Sequence, residues 1–288
     1  MGLLLRRWRD DAIAGWREFA SPDWLNAVMT DFDWETRSRV QDGPDQGEGL
    51  VVVIDRQTPD GSVVRIEASS STGEVAALLE WGVLFSRATG SVAAQVWRRQ
   101  GLGAGLPGLG FEMIRPFWRM DRLDLESIPT LPSPEGYRLI SEDSEPQPSE
   151  VWVDVYNQSF SEHFNHAPMT PEQFDKRHRA SPDLLLMAVT DSGRPAAVVW
   201  GTIEGLVEED PRPGPLGIIG VVGTLAEHRG RGLAAHLVAD CLRRFQNRGA
   251  RSASLHVDGL NPSRAYDIYR RLGFEIAWEM EVWEARFG

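Results

Sequence analysis

The sequence predicts a mixed α/β fold (an α+β mixed sheet) in two domains, and three observations support this. The chain has 288 residues, enough for one large domain or two of ordinary size. In its second half, short apolar runs alternate with helical stripes, as in a layered α/β domain. The first half repeats this order weakly, and Gly-Phe-Glu at 110–112 matches Gly-Phe-Glu at 273–275. We therefore expect two similar folds in tandem.

The composition excludes several classes of protein. Hydrophobic residues make up 42% of the chain and charged residues 25%, a balance typical of soluble globular proteins. No apolar stretch approaches the length of a membrane span, and the apolar run at residues 3–5 is too short for a secretory signal. The single cysteine, Cys241, excludes a disulfide framework and a multi-cysteine zinc site. We therefore expect a cytoplasmic protein in a reducing environment.

The charge balance bears on the kind of partner. The formal net charge is −12, and both halves of the chain are acidic. This argues against nucleic acid as the main partner, because surfaces that bind nucleic acid are basic. It favours a neutral or cationic substrate. We expect neither a nucleic-acid partner nor a membrane partner.

The domain boundary is predicted between residues 124 and 135. This stretch contains three prolines and little hydrophobic periodicity, which is typical of a linker. The prediction is a first domain at 1–128 and a second at 135–288. In the first domain, apolar runs flank the turn Thr-Pro-Asp-Gly at 58–61. The elements predicted there are helices at 9–19 and 74–87 and strands at 50–54, 63–68 and 91–97.

Local signals predict the elements of the second domain. Apolar residues at helical spacing predict a helix over 149–164. Thr170, Pro171 and Gln173 occupy the N-cap, first and third positions expected at the start of the next helix. Asp-Ser-Gly-Arg-Pro at 191–195 separates two apolar runs and predicts a hairpin. The other predicted elements are strands at 137–140, 184–189, 196–203, 217–225 and 252–257, helices at 232–248 and 262–272, a loop at 206–215, and one or two closing strands within 275–284.

The most informative segment is a glycine-rich turn between a strand and a helix, Arg-Gly-Arg-Gly at 229–232. Glycines allow a tight turn that brings successive N–H groups toward an anion. The helix N-terminus adds partial positive charge, and Arg229 and Arg231 add full charges. The turn therefore predicts a pyrophosphate site. The alternative interpretation is a helix N-terminus with two solvated arginines.

Two other nucleotide motifs fit the turn less well. Gly-x-Gly-x-x-Ala at 230–235 has the spacing of a dinucleotide fingerprint, with Asp258 as the ribose partner. Only 30 residues follow Asp258, too few for the rest of a doubly wound sheet, so we do not expect that fold. A P-loop is excluded because no Lys-Ser or Lys-Thr follows the glycines.

A second segment follows at 255–275, and together the two segments resemble the GCN5-related N-acetyltransferase (GNAT) superfamily. The resemblance is close over 217–275 and extends over 137–288 through the order of elements. The first segment matches the acyl-CoA motif (Arg/Gln)-x-x-Gly-x-(Gly/Ala) at Arg229, Gly232 and Ala234. The second matches the pattern Asn…Ala-x-x-x-Tyr-x-x-x-Gly-Phe at Asn261, Ala265, Tyr269, Gly273 and Phe274.

The resemblance implies acetyl-CoA as co-substrate and no metal. The backbone of β-strand residues would align the pantetheine and thioester, the turn would hold the pyrophosphate, and Asn261 would bind the pantetheine arm or nearby backbone. Tyr269 would protonate the departing CoA thiolate. The residues implied in binding acetyl-CoA are Val222, Gly223, Thr224, Arg229, Gly230, Arg231, Gly232, Leu233, Ala234, Ala235 and Asn261.

The general base is predicted at His256. Some members of the superfamily use a Glu on the corresponding strand, and His256 occupies that position here. An imidazole has the right basicity to take a proton from an amine, directly or through water. Asp258 and Glu204 are alternative bases.

Three further residues are interpreted more simply. Cys241 lies on the apolar stripe of a helix and is predicted to be a core residue. His163 and His166 lie at a helix exit, with too few ligands nearby for a metal site. They are expected to be acceptor-loop or surface residues.

The first domain is expected to be a degenerate GNAT-like domain. Ser-Ser-Ser-Thr-Gly at 69–73 stands where the glycine turn would be, so tight CoA binding is not expected there. Its expected role is structural or acceptor-shaping. An intact second domain behind a degenerate first one resembles the tandem arrangement of the mycothiol synthase family.

The function predicted from these observations is N-acetyl transfer from acetyl-CoA to a primary amine of a small molecule. The amine would attack directly, without a covalent enzyme intermediate. Two alternatives stay open: acetylation of a protein or peptide amine, and a non-enzymatic acyl-CoA-binding module. The chain is expected to act as a monomer or a homodimer.

Overall fold

The computed structural model describes residues 33–41, 49–58, 60–70, 75–178, 182–205, 212–261 and 264–288. The helix predicted at 9–19 and most of the loop predicted at 206–215 lie outside these residues. None of the described helices is long and apolar enough to cross a membrane.

The chain divides into two compact units. The first comprises Met1–Trp118, Val207–Asp210 and Trp278–Gly288, and the second comprises Arg119–Leu206 and Pro211–Ala277. Both units therefore take residues from more than one stretch of the chain. The domain limits expected from the sequence, 1–128 and 135–288, stay a prediction.

The first unit is a sheet with one long described helix. Its strand order is β1-β2-β3-β4-β11, with β3 and β4 parallel and joined through α2. The other neighbouring strands are antiparallel. The elements are α1 (Trp34–Arg37), β1 (Ser38–Gln41), β2 (Gly49–Thr58), β3 (Gly61–Ser70), α2 (Ala76–Ala88), β4 (Ala93–Arg99), the beginning of β5 (Glu112–Arg122) and most of β11 (Glu275–Arg286).

Helix α2 packs closely on the sheet of the first unit. Leu78, Leu79 and Val83 of the helix share an apolar core with Val64 of β3. At Gly82 of the helix, a Cβ would lie 2.8 Å from a methyl group of the facing isoleucine of β3, so only glycine permits this approach.

The second unit has the alternating order that the sequence predicts. Its strand order includes β10-β9-β8-β7-β6, with β9 and β10 parallel and the other neighbours antiparallel. Its elements are β6 (Tyr137–Ser141), α3 (Ser149–Phe160), α4 (Pro171–His178), β7 (Leu185–Thr190), β8 (Pro195–Glu204), β9 (Leu216–Thr224), α5 (Leu233–Asn247), β10 (Ser252–Asp258) and α6 (Ala265–Arg271).

The two units share one arrangement of strands and helix. In the first, β2 and β3 are antiparallel and α2 connects β3 to the parallel strand β4. In the second, β8 and β9 are antiparallel and α5 connects β9 to the parallel strand β10. The repeat of elements inferred from the sequence therefore has a counterpart in the topology.

The start of α4 confirms the capping box predicted from the sequence. The backbone N–H of Gln173 donates to Thr170 Oγ1 at 3.3 Å, and the backbone N–H of Thr170 donates to Gln173 Oε1 at 3.0 Å. Helix α3 is shorter than predicted and ends at Phe160 instead of 164. The loop after it turns through Asn165, which has a positive φ of 54°. Hydrophobic spacing continues past the true end of α3, because a loop packed on the core also carries apolar residues.

Helices cover both faces of the second sheet. Trp152 of α3 and Phe174 of α4 share a core with Val198, Trp200 and Val221 of the strands. The other face carries α5. There, a Cβ at Gly201 of β8 would lie 2.9 Å from the Cys241 sulfur, and one at Gly217 of β9 would lie 2.6 Å from Cε2 of Phe245. Glycines in the strands thus let α5 approach the sheet.

Replacing Gly217 by Ala is expected to lower the free energy of unfolding by about 1–3 kcal/mol, because the new methyl group overlaps the buried Phe245 ring. Gly205→Ala is a matched control, since a Cβ there meets no atom of the described residues within 4 Å. Guanidinium unfolding curves of both variants would measure the difference. Equal midpoints for Gly217→Ala and the parent protein would contradict the close packing of α5.

Candidate active site

The site is built where two parallel strands separate. Strands β9 and β10 pair from Leu216 with Ser252 up to Ile219 with Leu255. Strand β9 then continues to Thr224 and β10 to Asp258, with no further pairing between them. Beyond Leu255 the facing edges of the two strands are therefore available to a ligand.

A β-bulge at Gly220 reorients β9 at the same level. Against β8, Val221 pairs with Trp200 and Ile219 with Gly201, which leaves Gly220 as the extra residue. The bulge changes the face to which the following residues point. Gly217 faces α5, whereas a Cβ at Gly223 would lie 3.1 Å from Cβ of Ser159 on α3.

The same register places the predicted base. Ala253 of β10 pairs with Gly217, so Ala253 and every second residue after it face α5. His256 and Asp258 therefore face the side of the sheet that carries α3 and α4. Both are half-buried. Glu204, an alternative base, pairs with Leu216 and so lies at the opposite end of β9 from the glycine turn.

The glycine turn after β9 presents a row of free backbone amides. Gly230 and Gly232 have φ values of 76° and 80°, and α5 begins at Leu233 without a side-chain cap. The first bond of the helix runs from the N–H of His236 to the carbonyl of Gly232, at 3.0 Å. Within the described part of the chain, none of the N–H groups from Gly230 to Ala235 has a hydrogen-bond acceptor. Such amides at a helix N-terminus bind anions.

The space beside this turn is open. In the part of the chain that the structure describes, a Cβ built at Gly230 or at Gly232 would meet nothing within 4 Å. Positive φ values explain why glycine stands at both positions. The turn therefore has the room, the oriented donors and the helix dipole that a pyrophosphate requires.

The two arginines of the turn point in different directions. Arg229 Nε donates to the carbonyl of Thr224 at 3.2 Å, and its Nη1 lies 4.0 Å from a carboxylate oxygen of Glu162. Arg231 places its guanidinium 6.0 Å from the ring centre of Tyr137. Arg229 thus stays at the end of β9, while Arg231 lies over an aromatic ring.

Tyr269 is a buried phenol on α6, a helix that packs against α5. The residue is 6% exposed, and its ring lies edge-on to Phe274 at 6.2 Å. Burial raises the pKa of the Tyr269 phenol above its ordinary value, so the hydroxyl keeps its proton at neutral pH. Among the described residues the hydroxyl has no hydrogen-bond partner. Tyr269 is therefore a protonated group that is able to donate.

Asn261 lies in the connection between β10 and α6. Its backbone N–H donates to the carbonyl of Asp258 at 3.1 Å, and its carbonyl accepts from the N–H of Arg264 at 2.9 Å. Asp258 is itself held, since its Oδ1 accepts from the N–H of Leu260 at 2.9 Å. These bonds fix the open end of β10.

His163, which the sequence predicts to be an acceptor-loop or surface residue, lies near the charges of this region. It follows α3, and the charges of Asp258 and Arg229 both act on its imidazole. The linear sequence separates His163 from these two residues by at least 66 positions, and only the packing of α3 on β9 brings them together.

Cys241 is excluded from the site. The residue is fully buried on α5, which confirms its interpretation as a core residue, and burial raises the pKa of its thiol. Among the described residues, no group of three or more His, Cys, Asp or Glu side chains is arranged to hold a metal ion.

Comparison with known proteins agrees with this geometry. Residues 149–274 match the Acetyltransferase (GNAT) family. The mycothiol acetyltransferase of Kytococcus sedentarius is 32% identical over 171 residues, which cover 57% of this chain and 54% of that protein. The mycothiol acetyltransferase of Thermobispora bispora is 29% identical over 201 residues, which cover 67% of this chain and 66% of that protein. The chain thus spans about half to two thirds of the length of these curated relatives.

Solved structures show the same fold. A GCN5-related N-acetyltransferase from Sphaerobacter thermophilus superimposes with a TM-score of 0.74 at 22% identity, covering 96% of this chain and 90% of that chain. A tandem GNAT protein from the clavulanic acid biosynthesis pathway superimposes with a TM-score of 0.63 at 15% identity, covering 99% and 95%.

The family match covers one part of the chain, whereas the two superpositions cover nearly all of it. The match lies in the C-terminal part of the chain, in agreement with the degenerate first domain expected from the sequence. The separated strands, the bulge and the glycine turn all lie inside the matched residues. Residues 149–274, which contain the whole candidate site, are thus similar to the GNAT family of acetyltransferases.

Proposed function

We propose that this protein transfers an acetyl group from acetyl-CoA to a primary amine of a small molecule. One observation carries the proposal: β9 and β10 separate beyond Ile219 and Leu255, and β9 leads to a turn whose amides from Gly230 to Ala235 have no acceptor among the described residues. A thioester carrier with a diphosphate needs both features, a slot for its extended arm and donors for its phosphates.

The residues at this site fit acetyl-CoA. The amides of the turn suit the pyrophosphate, because the space beside Gly230 and Gly232 is free of atoms of the described residues. The edge of β9 at Val222 to Thr224 that β10 leaves unpaired suits the amide groups of the pantetheine arm. Asn261, in the turn after β10, is proposed to bind the same arm. When bound, acetyl-CoA supplies the activated acyl group.

The transfer is proposed to occur by direct attack. The amine nitrogen bonds to the thioester carbon, and the carbon–sulfur bond breaks. Tyr269 gives a proton to the sulfur. Backbone N–H groups near Val222 stabilise the negative charge that develops on the thioester oxygen. His256 lies on the face of the sheet that carries α3, and it is the base proposed from the sequence.

A small-molecule acceptor is supported by two considerations. The two relatives described above are named mycothiol acetyltransferases, a name that refers to a small thiol compound. The acidic charge of the chain also favours a cationic amine.

A screen of amines tests the proposal. Free thiol release from acetyl-CoA would be followed with aminosugars, amino-acid amides, polyamines and lysine peptides, with acetyl-CoA alone as the control. We expect turnover with one or more small amines. Preference for the peptides would identify a protein acetyltransferase instead. If calorimetry shows that acetyl-CoA binds but no amine is acetylated, the protein is a non-enzymatic acyl-CoA-binding module instead.

A further inference from the structure

We propose that His163 is the residue that takes the proton from the acceptor amine, and that the carboxylate of Asp258 stabilises the imidazolium formed. The proposal rests on the acetyl transfer proposed above and assigns one of its proton transfers. It assigns to His163, in the loop after α3, the proton removal that the sequence predicts for His256 on β10.

The packing of α3 places His163 at the open end of the strands. A Cβ at Gly223 of β9 would lie 3.1 Å from Cβ of Ser159 and 3.2 Å from a ring carbon of Phe160, so the last turn of α3 rests on β9. Directly after this turn, the backbone N–H of His163 donates to the carbonyl of Phe160 at 2.8 Å. The two rings lie 4.4 Å apart between centres. The imidazole is therefore held close to the part of β9 that has left β10.

The loop that carries His163 is anchored on both sides. The N–H of His166 donates to the carbonyl of His163 at 3.1 Å, and the His166 ring lies 5.6 Å from that of Tyr156 on α3. Further along, Asn157 of α3 bonds both backbone groups of Met169, at 2.9 and 3.1 Å. These contacts hold the loop against α3, and the imidazole itself packs on the Phe160 ring.

The charges around His163 suit proton transfer. Burial lowers its pKa, and Arg229 and His166 act in the same direction, so the free imidazole is neutral at neutral pH. Asp258, from β10, and Glu162, beside it in the loop, favour the protonated form. A neutral base with a carboxylate that stabilises its cation is the arrangement that general-base catalysis uses.

Strand β9 offers no competing base. Its nine residues, 216–224, are glycine, threonine and aliphatic residues, none of which titrates. The candidate proton acceptors nearest to the open end of β9 lie on β10 and in the loop after α3. His163 is favoured by its position, because its ring packs on Phe160 and Phe160 in turn rests on Gly223 of β9.

The protons balance in this scheme. The acceptor enters as an ammonium and loses two protons overall. One passes to His163 and then to solvent. The second replaces the proton that Tyr269 gives to the sulfur. The products are the amide, free CoA thiol and one released proton.

Kinetics against pH test the assignment. His163→Gln and His256→Gln would be compared with the parent protein, using the best amine of the screen and following kcat and kcat/KM. We expect His163→Gln to lower kcat about 100-fold or more and to remove the acidic limb of the profile, whereas His256→Gln retains that limb. The reverse pattern would overturn the proposal and return the base to His256.

A titration of the histidine signals by NMR tests the same assignment without any acceptor. We expect the pKa of His163 to lie below its ordinary value of about 6.5 and to fall further in Asp258→Asn. An unchanged pKa in that variant would refute the pairing even in a protein that acetylates amines. If none of the amines in the screen is acetylated, the proposed function is refuted. The base role of His163 is then refuted as well, whatever pKa the titration gives.

Discussion

Tyr269→Phe is expected to lower kcat about 100-fold or more while leaving the affinity for CoA unchanged. The substitution removes only the hydroxyl, so the buried ring and its edge-on contact with Phe274 remain. Without the hydroxyl, the thiolate leaves unprotonated, which costs the contribution that a general acid provides. Thiol release measures kcat, and calorimetry measures CoA affinity.

Tyr266→Phe is the matched control for this experiment. It makes the same chemical change on the same helix, α6, at a residue whose ring lies 5.6 Å from the Arg264 guanidinium. We expect the control to retain turnover. Unchanged turnover in Tyr269→Phe itself would remove this phenol from the mechanism.

Gly232→Leu is expected to weaken CoA binding about 100-fold or more. The residue is the N-cap of α5 with a φ of 80°, so any side chain there is strained. The new side chain would also enter the open space beside the free amides and exclude the phosphates. Calorimetric titration with CoA measures the loss.

Gly249→Leu distinguishes the two possible causes of weaker binding, which are backbone strain and exclusion of the phosphates. Gly249 follows α5, has a φ of 84° and likewise has nothing within 4 Å of a built Cβ. The backbone strain is therefore matched, but the position lies at the other end of the helix. We expect this variant to bind CoA normally. Equal affinities for the two variants would show that the turn does not hold the pyrophosphate.

Much of the site is predictable from the sequence because its chemistry is local. The turn at 229–232 needs glycines at adjacent positions along the chain, and the helix after it has its own hydrophobic stripe. The capping box at Thr170 and Gln173 is equally local. Residues within four positions of each other determine such features, so their pattern is visible in the sequence.

Other features depend on pairing between distant segments. The bulge at Gly220 exists only relative to β8, and the point where β9 and β10 separate is a property of two strands 36 residues apart in register. His163 reaches the site because Gly223 leaves room for Ser159. No short-range pattern encodes these relationships.

The return of β11 to the first unit affects how the protein is made. Arg99 of β4 pairs with Met280, and Ala93 pairs with Arg286. The partner strand of β4 is therefore synthesised about 180 residues after β4 itself. At translation rates of about 5 to 20 residues per second, the ribosome needs roughly 10 to 40 seconds to synthesise that interval. During this time the nascent first unit exposes an unpaired strand edge, which is a surface prone to aggregation. A fragment that stops after the first 128 residues would keep that edge permanently.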